Sequence, residues 1–154
     1  MLVKKEKILL VPADGDAVPL SDVPDDVFSS GMLGIGAAVL PDTGTVYAPM
    51  SGKIESVSDS RHAYTLISAD GIELMVHIGI DTVSLKGKGF FPMVAEGETV
   101  RAGDVLAKVD LELLKRKKLH THVVVLITNP DATTAFTVRT NKGLGGKSEL
   151  AVYR

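Results

Sequence analysis

The sequence predicts an all-β fold: a flattened antiparallel β-barrel or sandwich of short strands, with at most one or two short helical turns. Three observations predict it. Glycine (15) and proline (7) recur along the 154 residues and leave little room for long helices. The segments between them are rich in β-branched residues and alternate with a period near two rather than 3.6. Turn signals bound these segments at Asp14-Gly15, Asp42-Thr43-Gly44, Met50-Ser51-Gly52, Asp70-Gly71, Glu96-Gly97, Ala102-Gly103 and Asn129-Pro130. Many short strands so spaced suit a sandwich or barrel.

Taken in order, the first strand is expected over 7–11, an apolar run stopped by Pro12. Strands over 37–40 and 45–48 end at Pro41 and Pro49. A strand over 52–57 leads to a pair over 63–68 and 72–78, joined through the Asp70-Gly71 turn. Strands at 105–109, 123–128, 135–138 and 150–153 complete the set, the third from last closed by Asn129-Pro130. The exception is 111–118, LELLKRKK, where Leu111, Leu113 and Leu114 follow Asp110, a suitable N-cap, for two helical turns at most. Its Lys115–Lys118 run reads as a solvated face.

Composition bounds the function. With 45% hydrophobic and 23% charged residues, 1–154 reads as one domain with a real core. The net charge of −2 supplies no basic field for a phosphate backbone, so nucleic acid is not an expected partner. Aromatic content of 5% without tryptophan leaves few stacking platforms for sugar rings or bases. The absence of cysteine removes disulfides, thiolate nucleophiles and cysteine-based zinc sites. The longest apolar run, Val123 to Ile127, is far below the roughly 20 residues of a membrane-spanning helix. The opening stretch MLVKKEKILLVPADGD has no small-residue cleavage region, which points to a cytoplasmic protein. Chemistry must then rest on histidine or oxygen, and the four histidines are His62, His77, His120 and His122.

His62 and His77 lie on the two runs flanking the Asp70-Gly71 turn. If residues 68–71 form a four-residue loop, His62 lies opposite His77, with Cβ atoms ~5 Å apart. If only Asp70-Gly71 turns, the rings become diagonal neighbours on the same face. Either register puts Ala63, Thr65, Ile67, Ile72, Leu74 and Val76 toward the core, and His62, Tyr64, Leu66, Glu73, Met75 and His77 on the other face. Juxtaposed imidazoles could bind a metal or act as nucleophile and stabiliser; the alternative is two unrelated surface histidines.

An internal echo, VYAPMSGKIESV and MVAEGETVRAGDVLAKVD, is similar to the halves of biotinyl and lipoyl carrier domains, of duplicated hybrid-motif type. The Met-Lys-Met attachment motif of those carriers is not matched, and Lys53 follows Gly52 in a different context.

A closer match spans nearly the whole chain: PDDVFSSGMLGIGAAVLP, VYAPMSGKIESV, SRHAYTLISADGIELMVHIGIDTVSLKGKGF, VAEGETVRAGDVLAKVDLELL and THVVVLITN. In this order the segments resemble glucose-type IIA components of the bacterial phosphoenolpyruvate-dependent sugar phosphotransferase system. The resemblance implies that His77 accepts a phosphoryl group from the phosphocarrier protein HPr and passes it to a IIB domain. It implies that His62 helps hold that group, that the Ser60 hydroxyl can orient the His62 imidazole, and that the Gly79 carbonyl fixes the His77 tautomer. Asp81 corresponds to an acidic residue that can pair with an arginine of the phosphocarrier. Regulated permeases and kinases are further implied partners. No cofactor is required, although zinc could bind His62 and His77 as an incidental or regulatory ligand. An apolar ring is expected from Val27, Phe28, Met32, Leu33 and Met75, with Phe28 and Leu33 equally readable as core.

Two departures stand out. Ile35 occupies the place, between Gly34 and Gly36, where relatives carry an acidic residue. Thr121-His122 stands where relatives read Thr-Pro, so His120 and His122 are additional. An H-x-H strand puts both side chains on one face, open to a metal pair or to two surface histidines. From another class, lysostaphin-type zinc hydrolases use H-x-x-x-D and H-x-H elements, and His77-x-x-x-Asp81 with His120-x-His122 offers both. The sugar is not legible in the sequence. The start of the chain lacks the amphipathic leader of some free-standing relatives, which would suit a domain taken from a larger permease.

Overall fold

The computed structural model describes residues 6–133, 135–139 and 142–154. The first five residues, part of the stretch read for a signal peptide, lie outside it. The strands are β1 (Lys7–Leu10), β2 (Gly15–Pro19), β3 (Ile35–Pro41), β4 (Thr45–Tyr47), β5 (Gly52–Val57), β6 (Ala63–Ile67) and β7 (Glu73–Ile78). They continue with β8 (Phe90–Pro92), β9 (Thr99–Val100), β10 (Val105–Val109), β11 (Val123–Ile127), β12 (Phe136–Val138), β13 (Lys142–Gly143) and β14 (Glu149–Tyr153). Two short helices, α1 (Asp26–Ser29) and α2 (Leu111–Arg116), and 3-10 turns at Leu20–Asp22, Thr82–Leu85 and Pro130–Ala132 complete the chain.

An eight-stranded sheet runs in the order β13-β2-β3-β11-β7-β6-β5-β9, and two three-stranded sheets run β1-β14-β12 and β4-β10-β8. All recorded pairings are antiparallel. The sheets pack as a sandwich and do not close into a barrel. The main core joins all three: Leu9 and Leu150 from one small sheet, Leu106 and Phe90 from the other, and Leu66, Val76 and Val125 from the large one. The opposite face of the large sheet carries a second apolar cluster of Val23, Phe28, Ala38, Ile80, Val124 and Leu126. Strand β11 is therefore buried on both sides, which is why VVVLI is continuously apolar rather than alternating.

Strands β5 and β10 keep the bounds the pattern predicts, and the others predicted there shift by one or two residues. The strands β2, β8, β9 and β13 go beyond the pattern, because β2 and β8 run into a proline and β9 and β13 are only two residues long, so none shows an alternating run. Helix α2 starts where expected, with the Asp110 carboxylate accepting from Leu113 N–H at 3.1 Å, and stops two residues earlier. Helix α1 was not anticipated; its single turn is held by Asp25, whose carboxylate accepts from Val27 and Phe28 N–H at 2.9 and 3.2 Å.

The β6–β7 hairpin corrects the expected register. Ile67 pairs with Glu73 and Ala63 with His77, and Ser68 N–H donates to Ile72 C=O, so the loop is the three residues 69–71 with Gly71 at φ +89°. An odd loop shifts the pairing by one residue from either register considered, and a one-residue shift exchanges faces. Tyr64 and Leu66 accordingly point into the core opposite Val76 and Leu74, whereas Ala63, Thr65 and Ile67 share the other face with His77 and Met75.

Candidate functional site

His77 is the penultimate residue of β7, near the middle of the large sheet, on the face that carries the second apolar cluster. The chain then turns sharply. Gly79 takes φ +75°, its N–H donates to His122 C=O at 2.7 Å, and its C=O accepts from the His77 ring Nδ1 at 2.8 Å. With the proton on Nδ1, Nε2 keeps its lone pair. The buried Thr82 locks the turn, its hydroxyl donating to Ile78 C=O at 2.6 Å.

His62 reaches the site by a different device. It precedes β6 and follows Arg61, which takes a left-handed φ of +62°. The Ser58 hydroxyl accepts from the N–H of His62 and Ala63 and lies 3.4 Å from His62 Nδ1. Ser60, expected to orient this ring through its hydroxyl, acts on it through a backbone hydrogen bond, and the hydroxyl beside the ring is that of Ser58. The two imidazoles meet edge to face, with centroids 4.9 Å apart and planes at 85°. Their meeting does not depend on the direct cross-strand pairing considered from the sequence, since His62 lies beyond the last ladder pair.

Apolar rings close the sides. Phe28 packs edge-on to His77 with centroids 4.9 Å apart, and Phe90 lies 6.3 Å from His62. Phe28 is thus both core and site lining, while Val27, Met32 and Leu33 are exposed and Met75 is half-buried. Burial above all, together with the neighbouring His62, pushes the His77 pKa down to about 4, against the Gly79 hydrogen bond and the carboxylates of Asp25 and Asp81, which act in the opposite direction. Burial also lowers the pKa of His62, opposed by the Ser60 hydrogen bond. Both rings are therefore neutral near pH 7, and His77 presents an unprotonated nitrogen beside a second imidazole. Asp81, exposed and left-handed at φ +59°, and Asp25, at the start of α1, give the site an acidic border. Asp25 and Ser58 are contributors that the sequence reading missed. The Pro24-Asp25 step before an apolar pair is an N-cap signal for Asp25; nothing in the local pattern singles out Ser58.

His120 and His122 lie 5.9 Å apart, centroid to centroid, just before β11. Among the described residues, no group of three or more His, Cys, Asp or Glu side chains is placed to hold a metal ion. His77-x-x-x-Asp81 and His120-x-His122 therefore do not assemble the three-ligand centre of a zinc hydrolase. No described helix is long and apolar enough to cross a membrane.

The chain and its fold have counterparts among known proteins. The sequence profile described as phosphoenolpyruvate-dependent sugar phosphotransferase system, EIIA 1, matches residues 7–133. The chain belongs to this family. It is 41% identical over 132 residues to a glucose-specific EIIA component of the phosphotransferase system of Halalkalibacterium halodurans, covering 86% of this chain and 76% of that one. It is also 41% identical to a glucoside-specific EIICBA component of Staphylococcus carnosus and a glucose-specific EIICBA component of Streptococcus pneumoniae. It covers 21% and 19% of their lengths, with 94% and 90% of this chain aligned. The solved glucose permease IIA of Mycoplasma capricolum superposes with a TM-score of 0.88 at 32% identity, covering 99% of each chain. As an EIIA family member the chain is a phosphotransferase-system component, and its β-sandwich is that of the IIA neighbour.

Proposed function

We propose that this EIIA domain carries a phosphoryl group on Nε2 of His77, accepting it from the histidine of HPr and passing it to a IIB domain during sugar uptake. The observation that carries the reading is the 2.8 Å bond from His77 Nδ1 to the Gly79 carbonyl, which leaves Nε2 as the nucleophile on a neutral ring. In the transfer, the lone pair of His77 Nε2 forms the new bond to phosphorus as the bond to the donor imidazole breaks, its electrons staying on the donor ring. Such a loose, in-line transfer asks mainly for positioning and for stabilising charge on the equatorial oxygens. His62, 4.9 Å from His77, donates a ring N–H to those oxygens. Ser60 supports that ring, Gly79 sets the tautomer, and Asp81 with Asp25 attracts a cationic side chain of the phosphocarrier.

Docking buries the exposed Val27, Met32 and Leu33 and removes water from the reacting nitrogen. The reaction needs no cofactor; a zinc ion on His62 and His77 would occupy the nucleophile and so act as a blocker. HPr and the IIB domain act from the cytoplasm, where the domain itself works, and permeases or kinases are partners of its unphosphorylated form. The experiment is incubation with phosphoenolpyruvate, enzyme I and HPr. One acid-labile phosphoryl group is expected on His77; labelling that persists in His77→Ala overturns the proposal. His62→Ala is expected to accept the label but to transfer it poorly to a IIB domain, and undiminished transfer removes His62 from the mechanism.

A further inference from the structure

A second imidazole pair lies outside the His62–His77 centre. The rings of His120 and His122 stand 5.9 Å apart with planes at 66°. His122 is 8% exposed, and its Nδ1 is buried with no hydrogen-bond partner among the described residues, whereas His120 is exposed to solvent. A buried ring nitrogen without a partner is uncommon in folded proteins. Burial and the adjacent His120 both favour the neutral form of His122, the form that ligates metals.

The same segment supports the site behind it. Gly79 N–H donates to His122 C=O at 2.7 Å and Ile80 N–H to His120 C=O at 3.0 Å, so both residues are tied to the turn that fixes His77.

We propose that His120 and His122 chelate a divalent transition-metal ion, with His122 Nδ1 as the inner ligand, the exposed His120 imidazole as the outer one, and water in the remaining positions. Imidazole donors suit nickel, copper and zinc rather than magnesium or calcium. Two protein ligands make a chelate and not a hydrolase centre, which takes three. A bound ion would stiffen residues 120–122 against Gly79 and Ile80. This assignment stands whether or not His77 carries phosphate.

The test is Ni²⁺ titration of the full chain, isotope-labelled, near neutral pH. Paramagnetic broadening is expected first at the His120 and His122 rings and at the Gly79 and Ile80 amides, ahead of His62 and His77. By calorimetry, His120→Gln and His122→Gln are each expected to weaken that Ni²⁺ site by about tenfold or more through loss of the chelate, while His62→Gln retains it. His120→Gln changes an exposed side chain and reports even if His122→Gln fails to fold. Broadening confined to His62 and His77, or Ni²⁺ affinity unchanged in His120→Gln, overturns the assignment.

Discussion

The ring Nδ1–H of His77 donates to the carbonyl of Gly79, two residues along, across 2.8 Å. That contact needs the chain to double back, and Gly79 does so at φ +75°, a conformation costly for other residues. Space is short as well as conformation. A Cβ at Gly79 would lie 2.4 Å from Thr82 Cγ2 and 3.2 Å from the His120 carbonyl oxygen, and Thr82 is held by its own bond to Ile78. Gly79→Ala is expected to lower stability by about 1–3 kcal/mol and to raise the share of the Nε2–H tautomer of His77. Denaturant unfolding and ring nitrogen shifts measure the two effects. Wild-type values in both would show that the turn tolerates a side chain and does not set the tautomer.

Burial and His62 keep His77 neutral over an unusual pH range. With a pKa pushed down from 6.5 to about 4, the Nε2 lone pair persists well into acid. Phosphoryl acceptance by His77 is expected to stay level from about pH 8 to about pH 5, where an ordinary histidine would already be mostly protonated. The sign for stability follows from the same shift. Between about 4 and 6.5 the unfolded chain binds more protons than the folded one, so this group makes stability fall as pH drops through that window. Nuclear magnetic resonance titration of the His77 ring decides the matter; a midpoint at 6.5 or above would mean that the ring is not desolvated as described.

Much of the fold was legible because most of its strands are apolar, β-branched runs bounded by glycine and proline turns. Strands β5 and β10 could be read to the residue, and β11 could be read as a strand, its burial on both faces emerging only from the structure. The face assignment in the β6–β7 hairpin was not legible, because it depends on whether Ala69-Asp70-Gly71 or one residue more or fewer makes the loop. That choice is settled by Gly71 at φ +89°, not by composition. His62 and His77 could be paired from family resemblance, whereas both registers argued from their spacing were off by one residue. The Ser58 hydroxyl could not, since its place beside His62 depends on the left-handed turn at Arg61. Asp25 was missed for a related reason: a one-turn helix has no periodicity, and only its cap gives it away.

Asp25 acts on His77 by two routes, and substitutions can separate them. Its carboxylate caps α1 by accepting from Val27 and Phe28 N–H, and α1 holds Phe28 edge-on to His77 at 4.9 Å. Its charge also raises the His77 pKa against the larger effect of burial. Asparagine caps about as well as aspartate but carries no charge, whereas alanine does neither, at a cost of about 1 kcal/mol. Asp25→Asn is therefore expected to keep the stability and the Phe28 ring-current shift on His77 while lowering the His77 titration midpoint. Asp25→Ala is expected to lower the midpoint similarly, and also to lose about 1 kcal/mol and the Phe28 shift. If Asn and Ala destabilise equally, the cap is not what holds α1 against the site; if neither moves the His77 midpoint, the carboxylate is too well screened by solvent to act on the ring.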